Sequence, residues 1–243
     1  MAESMTPQIV SSYNEGQHNA NLKATIERLE QEGAYKDLSC IIVIPALGQV
    51  PTKAVASWLS LMSPPNQRVV RMFAMGMEVG EAYSRTIEQI LAHPDLSNYK
   101  YLLTMEHDNI PPPDGMVRLL SQMERNPEFA CIGGLYFTKG HGGVAQIWGD
   151  PKDPVLNFRP QKPVPDQLVE CCGTGMGFNA FRLSMFKDER LRKPWFKTTS
   201  SKDEGCHTQD LYFWTDARKN GYRCAIDCSI KVGHYDHKED ICW

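Results

Sequence analysis

The sequence is poor in the features that place many chains at sight. No lysine or arginine precedes Lys23, and the opening stretch Met1 to Asn19 carries Glu3 and Glu15, so the basic and apolar regions of a secretory signal are absent. No apolar run approaches the roughly 18 residues that a bilayer-spanning helix needs. These two absences lead us to expect a soluble cytoplasmic protein with no transmembrane segment. The eight cysteines include no Cys-x-x-Cys pair, which argues against a structural zinc ribbon. Scattered through a chain of this size, they suit reduced thiols better than a disulfide framework. Positive charge is not in excess: the formal net charge of −3 advertises neither a surface that coats nucleic acid nor one that seeks anionic lipid, and excludes neither. The segment Pro45 to Lys53 has only Gly48 and Lys53 of a glycine- and lysine-rich phosphate loop.

What is present is an ordinary globular composition. With 243 residues, 42% hydrophobic and 23% charged, the chain can bury a substantial core. Leu22, Ile26 and Leu29 recur at helical spacing before Gly33, so residues 1–37 read as a tail and an amphipathic helix, and 38–243 as one domain. That helix can pack on the domain or mediate contact with another chain, which makes a homo-oligomer one expectation.

Beyond it, strand-like and helix-like stretches alternate. Leu38 to Ile44 reads as a buried strand, Pro51 to Leu61 as a helix, Gln67 to Ala74 as a strand and Met77 to His93 as a helix closed by Pro94. Tyr101 to Met105, a helix from Asp114 to Met123 and Phe129 to Ile132 continue the series. This is the pattern of an α/β layered domain with a central, mostly parallel sheet flanked by helices. Gly140 to Pro165 is loop-rich. In Tyr222 to Val232, apolar residues alternate with polar or small ones, which puts Cys224 and Cys228 on the apolar face of a strand.

Everything else is organised around Tyr101 to Gly115. Here an apolar strand runs into Glu106-His107-Asp108-Asn109, and Pro111 to Pro113 then forbid further ladder pairing. In parallel sheets ligands gather at the carboxyl ends of strands, and two carboxylates one residue apart on extended chain point to the same side. Glu106 and Asp108 can thus reach one divalent cation or one sugar nucleotide; the bland alternative is a solvated acidic turn. Cys171 to Phe178 holds Gly173, Gly175 and Gly177, an alternation that allows close backbone approach to a ligand but lacks dinucleotide-loop spacing. Lys187 to Lys202 interleaves basic residues with Trp195 and Phe196, which suits phosphate or base contact as well as a solvated face. Thr208 suits a helix N-cap, placing Asp210 in the first turn, where the dipole favours an ionised carboxylate and a general base is well situated. His234 follows the last long strand as a metal ligand or a loop histidine.

Taken in order, Ile-Pro-Ala-Leu-Gly, Glu106-His107-Asp108, Gly-Thr-Gly-Met-Gly-Phe, Pro-Trp-Phe, Thr-Gln-Asp-Leu-Tyr-Phe-Trp-Thr-Asp-Ala and Val-Gly-His resemble glycosyltransferases of the GT-A fold, family 2 in particular, over roughly Ser39 to Tyr235. The resemblance implies a transferase moving a hexosyl or pentosyl unit from a nucleotide-diphosphate sugar to an acceptor hydroxyl, with Mn²⁺ or Mg²⁺ as cofactor. It implies that Asp108 and His234 bind the metal, that Pro45, Ala46, Arg85, Glu106 and His107 lie on the donor side, and that Asp210 is the base of an inverting reaction. Gly173, Thr174, Gly175, Trp195 and Gln209 would border the acceptor. The chain departs from the family pattern with Glu106 at the first metal-motif position and Gln209 where Glu is usual. A retaining transferase and a non-catalytic carbohydrate- or nucleic-acid-binding module fit most of the same residues. The acceptor can be a glycan, a protein, a lipid-linked sugar or a hydroxymethylated DNA base.

Overall fold

The computed structural model describes residues 8–12, 17–31, 36–201 and 205–243. Its centre is an eight-stranded sheet. In chain order the strands are β1 (Gln8–Ser11), β2 (Cys40–Ala46), β3 (Val69–Met75), β4 (Tyr101–Met105), β5 (Cys131–Leu135), β6 (Leu168–Cys171), β7 (Phe178–Arg182) and β8 (Cys224–Lys231). Across the sheet they lie in the order β1-β3-β2-β4-β7-β5-β8-β6. β3, β2 and β4 are mutually parallel, as are β5 and β8, and β7 joins the two groups by pairing antiparallel with both β4 and β5. β1 and β6 close the edges antiparallel. The GT-A α/β expectation of a mostly parallel sheet flanked by helices is met.

The alternation within β2 shows why the sequence builds two layers. Ile41 and Val43 face one core with Tyr83, Ile87 and Ile90 of helix α3 (Val79–Ala92) and with Phe213, Trp214 and Ala217 of helix α5 (Gln209–Lys219). Cys40, Ile42 and Ile44 face the other, with Ala54 and Trp58 of α2 (Thr52–Ser60) and Met116, Leu119, Leu120 and Met123 of α4 (Gly115–Arg125). A strand covered on both faces has no polar side, so β2 reads as an unbroken apolar run. The remaining helix, α1 (Gln17–Gln31), falls where the Leu22-Ile26-Leu29 spacing predicts.

Three strands of this sheet depart from the sequence reading. The stretch expected to be tail contributes β1, which pairs with β3 at the sheet edge. β6 and β7 flank the glycine segment and were not expected as strands; they are short, and antiparallel insertions follow no βαβ rhythm. The described cysteines Cys40, Cys131, Cys171, Cys172, Cys224, Cys228 and Cys242 are free. Cys171 and Cys224 oppose each other across β6 and β8 with their sulfurs 3.8 Å apart.

One charged cluster pins α4 to the sheet. Glu124, with its side chain only 12% exposed, accepts from Lys100 at 2.6 Å and Lys36 at 3.0 Å, and also from the Tyr101 hydroxyl. Burial opposes its ionisation, but these three donors hold the carboxyl down at about 2. A depressed folded-state value stabilises the protein above the unfolded range near 4.3, and the gain is lost as pH falls toward 2. Glu124→Gln is expected to lose about 1–3 kcal/mol at pH 7. Urea titrations of the two proteins should converge between pH 4.5 and 2, and a constant gap would refute the assignment.

Candidate active site

The carboxyl ends of β2, β4, β5 and β8 open on one edge of the sheet. There the chain continues as Leu47, Glu106-His107-Asp108, Tyr136-Phe137 and Val232-Gly233-His234. Just beyond β4, Asn109–Ile110 pairs antiparallel with Gly233–His234, and the Tyr235 amide donates to the Asp108 carbonyl at 2.8 Å. This small ladder brings together residues far apart in sequence. His234 Nε2 lies 3.6 Å from Asp108 Oδ2.

His234 is held in a defined tautomer. Its Nδ1 is 2.8 Å from the Phe137 carbonyl, which can only accept, so Nδ1 carries a proton and a neutral ring turns its Nε2 lone pair toward Asp108. A lone pair and a carboxylate facing each other call for a cation between them. A proton on His234 is one, and burial, which lowers its basicity, is outweighed by Asp108, so its pKa is raised. Lys139 supplies another, with Nζ 2.5 Å from the same Asp108 oxygen. Burial works against the Asp108 carboxylate, but the bonds from His234 and Lys139 hold it well below the ordinary range.

A divalent ion is the third candidate. Two donors each about 2.1 Å from one ion stand roughly 3–4 Å apart, and the observed 3.6 Å falls inside that span. No group of three or more His, Cys, Asp or Glu side chains with metal-site geometry occurs among the described residues. Asp108 and His234 therefore fit a cation that takes its remaining ligands from substrate phosphates and water, the usual arrangement for Mg²⁺ at phosphate sites.

Around this pair the surroundings are acidic. Glu106 is pushed up to about 7, first by burial and then by the neighbouring Asp108 and Asp210 charges. Asp210 lies in the first turn of α5 after Thr208, as expected, but the Thr208 hydroxyl donates to the Asp210 carboxylate instead of capping a backbone amide. The Leu211 amide donates to the same oxygen at 3.0 Å. Asp210 is buried, and that burial raises its pKa in spite of these bonds, opposite to the shift expected from the helix dipole alone. A cleft of about 420 Å³ is lined by Pro45, Ala46, Met77, Glu106, His107 and Asp108; Asp210 and His234 do not line it. Pro45 and Ala46 thus share a cavity with the acidic motif, as the donor-side reading requires.

Other expected site residues lie elsewhere. Arg85 is well exposed on α3, paired with Glu81 at 3.0 Å, and does not line the Asp108 cleft. A solvated helix face accounts for it. Trp195 is 1% exposed, edge-on to Phe186 at 5.8 Å within the aromatic core, so it borders no open acceptor surface. The hydrophobic term that buries a whole indole overrode the basic-aromatic pattern around it. Gly173, Thr174 and Gly175 are buried as well. The Thr174 hydroxyl accepts from Trp214 Nε1 at 3.3 Å, and a Cβ on Gly175 would stand 2.3 Å from the Tyr136 hydroxyl oxygen. Close approach is what these glycines permit, but to the protein's own side chains: Tyr136 at Gly175, and Phe158 and Trp214 at Gly173. Gln209, at the start of α5, packs its Cβ where a side chain on Gly80 would touch it at 3.1 Å, which seats α5 against α3.

Residues missed by sequence reasoning complete the site. The Gly177 amide donates to the Tyr136 hydroxyl oxygen at 2.8 Å, and the Glu106 amide to the Gly177 carbonyl at 3.1 Å, so Tyr136 and the glycine segment form the floor under Glu106. Glu78 lines the cleft and caps α3, accepting from the Gly80 and Glu81 amides. Lys139 faces Asp108. A positional signal existed for Tyr136 and Lys139, since both follow the end of a parallel strand just as Glu106 and His234 do.

No protein-family model matches the chain, and no curated relative does. Among solved structures it is similar to A197 from STIV, with 14% identity and a TM-score of 0.59 over 84% of this chain and 93% of that one. It is also similar to GalNAc-T7 crystallised with UDP, GalNAc and Mn²⁺, with 11% identity and a TM-score of 0.55 over 96% of this chain and 54% of that one. The chain therefore has the GT-A glycosyltransferase fold. It spans nearly all of A197 and about half of GalNAc-T7.

Proposed function

We propose that this protein transfers a sugar from a nucleotide-diphosphate sugar to an acceptor hydroxyl with inversion, in a reaction that depends on Mn²⁺ or Mg²⁺. The observation that carries the reading is the meeting of Asp108 and His234, 3.6 Å apart, at the sheet edge where Glu106 and Asp210 also point their charge. Asp108 and His234 would hold the cation, which neutralises the diphosphate as it leaves. Pro45, Ala46 and His107 would enclose the nucleotide, and the Glu106 carboxylate would accept from a hydroxyl of the ribose or sugar. Asp210 takes the proton of the acceptor hydroxyl while that oxygen forms its bond to the anomeric carbon from the face opposite the phosphate. The bond to phosphate breaks, and the nucleoside diphosphate departs with the electron pair. In support, GalNAc-T7, of like fold, was crystallised with UDP, GalNAc and Mn²⁺.

A thermal-shift screen of nucleotide sugars with and without Mn²⁺ tests this reading. A ligand at about 100 times its Kd stabilises by about 2.7 kcal/mol, roughly 5–10 °C for a chain of this length. The expected outcome is a shift of that size for one nucleotide class with Mn²⁺ and little without it. No shift for any donor under either condition would refute the proposal.

A further inference from the structure

Lys139 and His234 address the same oxygen of Asp108, so a divalent ion bridging that oxygen and His234 Nε2 would be repelled at close range by the ammonium 2.5 Å from it. We propose that Lys139 is the resident counter-cation of the cleft: it holds Asp108 in the unloaded protein, yields that oxygen to the divalent ion, and turns its ammonium to the donor's diphosphate. The inference rests on the donor-site reading above and adds a residue and an order of events to it.

The local structure suits the exchange. Lys139 opens a turn clamped at its base by bonds from the Thr138 amide to the Val144 carbonyl at 3.0 Å and from the Val144 amide to the Thr138 hydroxyl at 2.9 Å. At the tip Gly140 and Gly142 have φ of +97° and +77°, and a Cβ on either would meet nothing within 4 Å, while His141 between them rests edge-on against Trp243 with ring centroids 5.3 Å apart. The Lys139 side chain is 29% exposed, at the mouth of the site, with a long flexible stem. Two residues back, the Phe137 carbonyl holds His234 Nδ1, so this short segment touches both residues that would bind the ion. Charge balance points the same way. Glu106 feels the charges of both Asp108 and Asp210, and the cationic groups facing it are His234 and Lys139. A diphosphate arriving with only one divalent ion would leave that pocket strongly negative, and the freed ammonium is the charge at hand to offset it.

The test uses the full chain with Mn²⁺ alone and then UDP or GDP as probes. Lys139→Met is expected to bind Mn²⁺ about 10-fold tighter in the absence of nucleotide, by electron paramagnetic resonance titration, since a competitor has been removed. With Mn²⁺ saturating, the same variant is expected to bind the nucleoside diphosphate about 10-fold more weakly by calorimetry, having lost a charge-assisted hydrogen bond. Lys139→Arg should stay near wild type in both assays, and a thermal melt confirms that each variant is folded. Unchanged or weaker Mn²⁺ binding by Lys139→Met overturns the exchange, as does unchanged nucleotide affinity. If the wild-type protein binds neither Mn²⁺ nor either nucleotide, the donor-site reading itself has failed, a result distinguishable from a Lys139 variant that merely matches wild type.

Discussion

Asp210→Asn is expected to lower sugar transfer by about 10²–10⁴-fold while leaving donor and cation binding within a few fold of wild type, because general-base catalysis is worth that much and little else is lost. The substitution is nearly isosteric. The amide oxygen of asparagine can still accept from the Thr208 hydroxyl and the Leu211 amide, the two groups that fix the carboxylate at the start of α5. What it cannot do is take a proton. Burial strengthens the expectation, since a carboxyl whose pKa is raised by its dry surroundings is a better proton acceptor than an exposed aspartate and stands nearer the operating pH. Turnover is read from release of nucleoside diphosphate, and binding from calorimetry on the same preparation. Undiminished transfer would remove Asp210 from the mechanism; a parallel collapse of donor affinity would make it a binding residue.

The layers of the fold were legible because burial on both faces leaves a periodic trace. The run from Cys40 to Ala46 can hardly be anything but a central strand, and Val79, Tyr83, Ile87 and Ile90 can hardly face anything but a core. The strands that escaped notice, Leu168–Cys171 and Phe178–Arg182, are short and bracket a glycine run whose conformation is set by a partner from another part of the chain. Nothing in Gly173-Thr-Gly175 announces the aromatic side chains that meet it, so close backbone approach reads as room for a substrate when Tyr136, Phe158 and Trp214 already fill the space. Trp195 failed for a related reason: an aromatic residue amid lysines and arginines reads as a binding surface until the tertiary fold buries it beside Phe186. Asp108 and His234, paired in the sequence only by the family resemblance, lie 3.6 Å apart because both follow the carboxyl ends of parallel strands, where the side chains of such sheets converge. Applied to the strand ending at Leu135, the same rule would have found Lys139.

Asp108→Ala is expected to abolish cation-dependent donor binding, with nucleoside diphosphate affinity falling by at least 10²-fold in Mn²⁺ and becoming indifferent to chelator. The magnitude follows from geometry. His234 Nε2 alone offers one neutral donor, and a divalent ion held by a single imidazole is bound far more weakly than one that also has a carboxylate. Removing the carboxylate also strands Lys139 and leaves His234 without its acceptor, and breaking a largely buried ion pair can cost about 3–5 kcal/mol of stability. Asp108→Asn separates the two effects: it keeps the shape and an acceptor for Lys139 but withdraws the negative charge, so it should fold like wild type and still lose Mn²⁺. Calorimetric titration of UDP or GDP with Mn²⁺, and again with chelator, decides the matter. Equal affinity under both conditions in the wild-type protein, or full Mn²⁺ dependence retained in Asp108→Asn, would mean that the ion, if used at all, binds somewhere other than the edge where β4 and β8 end.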